Sequence, residues 1–158
     1  MAAKTYTTTY RIFINARPEE VFAYVADLPR HGEWSGGPLR IEALSAGPVA
    51  VGQRYRSVGR MLGKDNLNEL CVTAYQPPTR FCFSVQDPAF GELTHEFAVR
   101  PDRGGTLLER TITSQMSPAM ALLFGLVLKP LVAQPMMTRA LKALKARLEQ
   151  RQAAPIVS

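Results

Sequence analysis

Between residues 39 and 115 apolar and polar side chains alternate in short runs broken by glycine, proline and aspartate, and helical spacing is found on the two flanks. Residues 5–15 form the first expected strand, because threonine, tyrosine and isoleucine suit a pleated surface. Arg17-Pro18-Glu19-Glu20 then starts a helix: proline is pre-set for the first turn, and two carboxylates meet the positive end of the helix dipole. Val21, Phe22, Val25 and Leu28 make its buried face, and Pro29 stops it. Residues 30–34 fit a second short helix or turn, with Trp34 plugging one end of the core and His31 exposed. Six more strands are expected at 39–45, 53–58, 66–75, 80–86, 91–100 and 106–115. Pro77-Pro78 and Gly104-Gly105 mark tight turns, and 59–64 reads as a flexible hairpin tip.

Residues 117–150 organise the rest. A Ser117 oxygen can cap the first free amides, and Pro118 fits the first helical turn. Met137, Leu141, Leu144 and Leu148 form one apolar stripe, while Arg139, Lys142 and Lys145 point to water. The run 119–128 (AMALLFGLVL) is apolar all the way round, so it must be covered on more than one side or touch something apolar that is not protein. Its ten residues are too few to cross a bilayer, which needs roughly 20. The expectation is an α+β fold: two short helices after strand one, and one seven-stranded antiparallel sheet curved about a long C-terminal helix. That helix is either bent or divided at Pro130 and Pro135, and it walls off an apolar cavity.

The chain has 158 residues, enough for one domain over 1–151, with 152–158 as a frayed tail. No secretory signal opens it, and Cys71 and Cys82 are too few for a disulfide framework, so reduced thiols and a cytoplasmic location are expected. A net charge of +6 invites a nucleic-acid reading. The cations are scattered over different elements, however, with no aromatic-basic ladder and no helix-turn-helix or zinc spacing, so no nucleic-acid partner is expected. The one basic cluster, Lys129, Arg139, Lys142, Lys145, Arg147 and Arg151, is a solvated helix face or a contact for anionic lipid. Two histidines 64 positions apart make no metal motif, and no cofactor is expected.

Several segments resemble, in order, the START-like or SRPBCC superfamily. Arg17-Pro18-Glu19-Glu20-Val21-Phe22 is similar to its A-P-x-E-x-V-[WF] opening, and Asp27-Leu28-Pro29 to Trp34 to its D-…-x-x-W segment. Val51-Gly52-Gln53-Arg54-Tyr55 resembles its V-G-x-x-[FY] strand start. The run from Val72 to Phe81 resembles its V-x-x-[FY]-x-P-P-x-R-[LF] hairpin, and Gly104-Gly105-Thr106 its G-G-T turn. The resemblance covers roughly 5–150 and implies a helix-grip fold with a cavity between sheet and helix. It names function poorly, since the superfamily holds lipid carriers, cyclases, hydroxylase domains and chaperone cofactors on one scaffold.

Strand parity assigns candidate ligand contacts. Phe81, Phe83, His95 and Phe97 share a face with Val99, and Arg110 accompanies Leu108 and Ile112. Leu70, Val72 and Ala74 share a face on their strand. Trp34, Leu122, Leu126, Met137 and Leu141 complete the candidate wall. His95 and Arg110 are the candidate catalytic or ligand-orienting pair: an arginine fork binds a carboxylate or enolate oxygen, and a histidine donates to a carbonyl or moves a proton. Against this stand a satisfied histidine and a cross-strand salt bridge. The leading expectation is a carrier or sensor of a small lipophilic molecule such as a lipid, quinone or aromatic polyketide. The alternatives are a cofactor-independent cyclase/dehydratase, and docking to anionic membrane or protein through the basic helix. Monomer and homodimer both stay open.

Overall fold

The computed structural model describes residues 2–61, 63–88 and 90–153. Strand β1 (Lys4–Ile14) leads into helix α1 (Pro18–Ala26) and a 3-10 turn of helix (Leu28–Glu33). A meander follows: β2 (Leu39–Ala43), β3 (Arg54–Met61), β4 (Lys64–Gln76), β5 (Arg80–Asp87), β6 (Gly91–Asp102) and β7 (Gly105–Met116). The seven strands form one antiparallel sheet in the order β1-β7-β6-β5-β4-β3-β2. The first strand therefore closes against the last, and the two short helices carry the chain across to the opposite edge.

The C-terminal segment is helical without a break over Pro118–Ala153. It begins as α2 (Pro118–Leu123), widens into a π-helical stretch (Phe124–Ala133) and ends as α3 (Gln134–Ala153). Pro130 sits inside the widened stretch. A proline removes one amide donor and crowds the preceding turn, and a wider helix relieves both demands. The two prolines therefore do not divide the helix. Ser117 caps it as expected, its Oγ accepting from the Met120 amide at 3.3 Å. Gln152 and Ala153, expected in the tail, continue the helix, and Gln152 donates to Glu20. The remainder of the tail and Leu62 of the 59–64 hairpin lie outside the described residues.

Met137, Ala140, Leu141, Leu144 and Leu148 of α3 press on the concave face of the sheet. There they meet Ile14, Val72, Phe81, Phe97, Val99 and Leu108, with Val21, Val25, Leu28 and Trp34 closing the end. One strand departs from simple parity. The β4–β5 register shifts between Val72 and Ala74, so Ala74 pairs with Cys82 and Tyr75 with Phe81. Ala74 thus leaves the face of Leu70 and Val72, and Tyr75 reaches Phe22 at 5.6 Å between ring centroids. Glycine is required at Gly105, where a Cβ would lie 2.5 Å from the Ile14 carbonyl oxygen. Gly104 before it has φ +81°.

Two further expectations are corrected. The run 119–128 walls off nothing: no residue of α2 or the π-helical stretch is buried. Lys145 is not a free surface cation either, since its Nζ donates to the Phe13 carbonyl at 2.8 Å and to Glu149 at 2.6 Å.

Candidate functional site

The antiparallel register places Arg110 of β7 between Tyr10 of β1 and Phe97 of β6. Its side chain reaches the concave side of the sheet, where α3 arrives. Nη2 lies 3.1 Å from Nδ1 of His95, and Nη1 lies 3.4 Å from Sδ of Met137. The guanidinium stands 5.1 Å from the centre of the Phe97 ring and 5.7 Å from that of Trp34. No carboxylate pairs with it among the described residues, and its Nε has no hydrogen-bond partner. Burial pulls its pKa down to about 10, with Tyr10 opposing. Arg110 therefore remains charged at neutral pH.

His95 stacks flat on Phe83, with ring centroids 4.8 Å apart and planes 6° from parallel. An arginine can only donate, so Nδ1 of His95 accepts and Nε2 carries the proton. Burial first, then Arg110 and His31, holds its pKa well below the ordinary histidine range. His31 is buried too, at 4% exposure, against the expectation of an exposed side chain. Its Nε2 donates to the Val25 carbonyl at 2.7 Å, and burial lowers its pKa to about 3. The short helix makes a full turn before Trp34 and carries His31 inward, 4.6 Å from the indole ring. Trp34 itself is 2% exposed, and its Nε1 has no hydrogen-bond partner among the described residues.

Arg110, Trp34 and His31 border a hollow of about 250 Å³ at one end of the α3–sheet interface, whereas His95 lies behind Arg110 and is not on its lining. Three of the candidate residues, Trp34, Arg110 and Met137, line it. Leu39, Met136 and Ala140 add apolar wall, and His31, Arg60 and Asn66 add polar wall. Met136 and Ala140 flank Met137 on one helical face, a signal present in the sequence. Arg60 and Asn66 come from the β3–β4 hairpin, and only the sheet's curvature brings them here.

The other candidates are placed elsewhere. Leu70, Val72, Phe81, Phe83, Phe97 and Leu141 are solid core, each at most 4% exposed. Ile112 packs partly buried against that core beside His95. Leu122 and Leu126 point away from it, at 64% and 70% exposure. A larger hollow of about 400 Å³ is a polar surface groove between α1 and the end of α3, bordered by Tyr24, Asp27, Arg30 and Arg151. Arg30 is paired there with Glu33, at 2.9 Å, and among the described residues none in that groove has a buried side-chain atom without a hydrogen-bond partner. The cysteines are free, and burial raises the Cys82 thiol to about 11, which keeps it protonated. Among the described residues no cluster of histidine, cysteine and carboxylates could hold a metal.

A long helix gripped by a curved antiparallel sheet defines the helix-grip class of α+β folds. The sequence matches the model of the family described as polyketide cyclase/dehydrase and lipid transport over residues 5–149, and the chain belongs to that family. No curated protein matches it. Among solved structures it is similar to the ZhuI aromatase/cyclase from Streptomyces sp. R1128, at 16% identity and TM-score 0.74, covering 94% of this chain and 96% of that one. It also resembles the di-domain aromatase/cyclase StfQ of the steffimycin biosynthetic pathway, at 14% identity and TM-score 0.74, covering 95% of this chain and 53% of that one. A START superfamily protein from Mycobacterium smegmatis aligns at 16% identity and TM-score 0.70, covering 91% and 97%. At these identities the likeness is one of fold.

Proposed function

We propose that this protein binds a small lipophilic molecule with an anionic or strongly hydrogen-bond-accepting end, as a carrier or sensor. The observation that carries this reading is a pair of buried donors without acceptors, Arg110 Nε and Trp34 Nε1, on two residues that border one largely apolar hollow. A buried donor left unmade costs about 1–3 kcal/mol, and a buried charge more, so an incoming carboxylate, phenolate or enolate oxygen satisfies groups that the protein leaves open. The apolar body of the ligand would rest on Leu39, Met136, Met137 and Ala140. The two free cysteines suit a reducing, cytoplasmic setting.

Binding is favoured over catalysis by the two histidines. Both are neutral and weakly basic, so neither is a competent general base near neutral pH. A cyclase reading keeps one support: His95 Nε2–H and the Arg110 fork could together polarise a carbonyl. Its test is a cyclisation assay on a linear poly-β-ketone, in which loss of turnover in His95→Gln and Arg110→Met would favour the enzyme.

The binding reading is tested with Trp34, the sole tryptophan. Saturable change of its fluorescence by 1-hydroxy-2-naphthoate, and at least tenfold weaker response to 1-naphthol, is expected. No saturation with either probe, together with no small molecule in native mass spectra of the purified protein, would remove it.

A further inference from the structure

We infer that the helix over 118–136 is a docking element for the surface of an anionic lipid bilayer. This is independent of what fills the hollow. Leu122, Leu126 and Leu131 are 64%, 70% and 72% exposed, and Leu123, Val127, Val132 and Met136 continue the same outer face. Every charged residue is missing from that face between Ser117 and Thr138, because Lys129 alone falls in the interval and lies over the Tyr6 ring at 5.7 Å. A contiguous apolar ridge of this kind is uncommon on a protein surface that meets only water.

The opposite face of the helix is anchored. Phe124 meets Tyr6 edge-on at 5.2 Å, and Gly125 lies against the same ring. The ridge is therefore held on β1 and pushed outward. The structure also corrects the expectation from the apolar run alone: as one continuous helix of 36 residues, Pro118–Ala153 is long and apolar enough, by length and composition, to cross a membrane. Lying in the surface fits better. The uncharged stretch before Lys129 spans only about 16 Å at 1.5 Å per residue, against a hydrocarbon core of about 30 Å. The α3 half is committed to the core through Leu141, Leu144 and Leu148.

Charge decides the occupant. From Arg110 to Leu148 the chain has no aspartate or glutamate. Arg139 and Lys142 are exposed just beyond the ridge, and with Lys129 they enter no ion pair among the described residues. A helix with an apolar face and basic flanks lies in a headgroup layer, where anionic lipid supplies the counter-charge. A second copy seated on this face would bring the same three cations against each other, and the helix's one acid, Glu149, is already bonded to Lys145. Met136 belongs both to the ridge and to the wall of the hollow, so a bilayer held here abuts that opening.

The full chain should co-sediment with extruded vesicles of phosphatidylcholine containing 30% phosphatidylglycerol, and at least tenfold less with pure phosphatidylcholine. Leu122→Ser/Leu126→Ser/Leu131→Ser, at positions that contribute nothing to the core, should lose binding at least tenfold while keeping the wild-type circular dichroism and Tm. Lys129→Glu/Arg139→Glu/Lys142→Glu should lose it likewise. Equal sedimentation of wild type and both variants would overturn the inference. So would equal binding to neutral vesicles, or a wild-type dimer that ignores vesicles and becomes monomeric in the serine variant.

Discussion

Arg110 Nη2 donates to Nδ1 of His95 across 3.1 Å, so a half-buried cation is held by a neutral imidazole where a carboxylate would ordinarily stand. The pair comes from adjacent strands, two residues from direct opposition and so diagonal neighbours on one face, since His95 faces Ile112 and Arg110 faces Phe97. The arrangement leaves positive charge at an apolar hollow, with His31 and His95 both kept neutral around it.

Arg110→Met should therefore not cost stability. Removing one partner of a buried ion pair strands the other, but here no carboxylate is stranded. The Tm of Arg110→Met is expected at or above that of the wild type, while its affinity for 1-hydroxy-2-naphthoate drops at least tenfold. Arg110→Lys should fall between, because an ammonium keeps the charge without the fork. A Tm several degrees lower in Arg110→Met would show that the contacts with His95, Phe97 and Trp34 stabilise the fold more than the burial of the charge costs it.

Stability should decline on mild acidification. A histidine whose folded pKa lies near 3 and whose unfolded pKa is ordinary binds more protons when unfolded, so stability rises with pH between those values. It is complete above about 6.5 and is lost as pH falls. Glu33, lowered to about 2 by Arg30 and Tyr24, contributes its own loss only below the usual carboxylate range. The interval from pH 6.5 to 5 thus belongs to His31 and His95, each with a limiting slope of about 1.4 kcal/mol per pH unit. Urea melts at pH 7 and pH 5 should show the fall, and His31→Gln should reduce it by roughly half.

Gly105→Ala should destabilise by about 2 kcal/mol, the usual cost of forcing an atom into a packed site. Its Cβ would meet the Ile14 carbonyl oxygen at 2.5 Å and the Phe13 ring at 2.8 Å. Gly37→Ala, where a Cβ meets nothing, is the control and should change little in the same thermal melts.

Leu144→Ala should cost about 2–5 kcal/mol, since Leu144 is fully buried at the centre of the α3 stripe. Leu126→Ala, on the same helix and 70% exposed, should cost well under 1 kcal/mol in chemical denaturation. A comparable loss at both would mean that the outer face packs against something in the isolated protein.

Local pattern made much of this molecule legible in the residues alone. The alternation through Phe81, Phe83, Phe97 and Val99, the four-residue spacing of Met137, Leu141, Leu144 and Leu148, and the Ser117 cap each depend on neighbours within one or two turns or strand steps. Side-chain direction follows backbone period at that range, so family and fold could be recognised and Arg110 placed on the concave face. Three matters needed long-range contacts. A single register shift at Val72–Ala74 turned Ala74 outward and Tyr75 inward, and a bulge leaves little trace in composition. His31 was buried by the docking of a short helix onto Phe83 and Phe97, which lie some 50 residues or more away. The run 119–128 announced that it must be covered by something apolar, but not by what. The tertiary structure decided that the sheet does not cover it: the buried stripe of α3 takes the concave face, and no residue of α2 or the π-helical stretch is buried. What remains outside is an oily ridge.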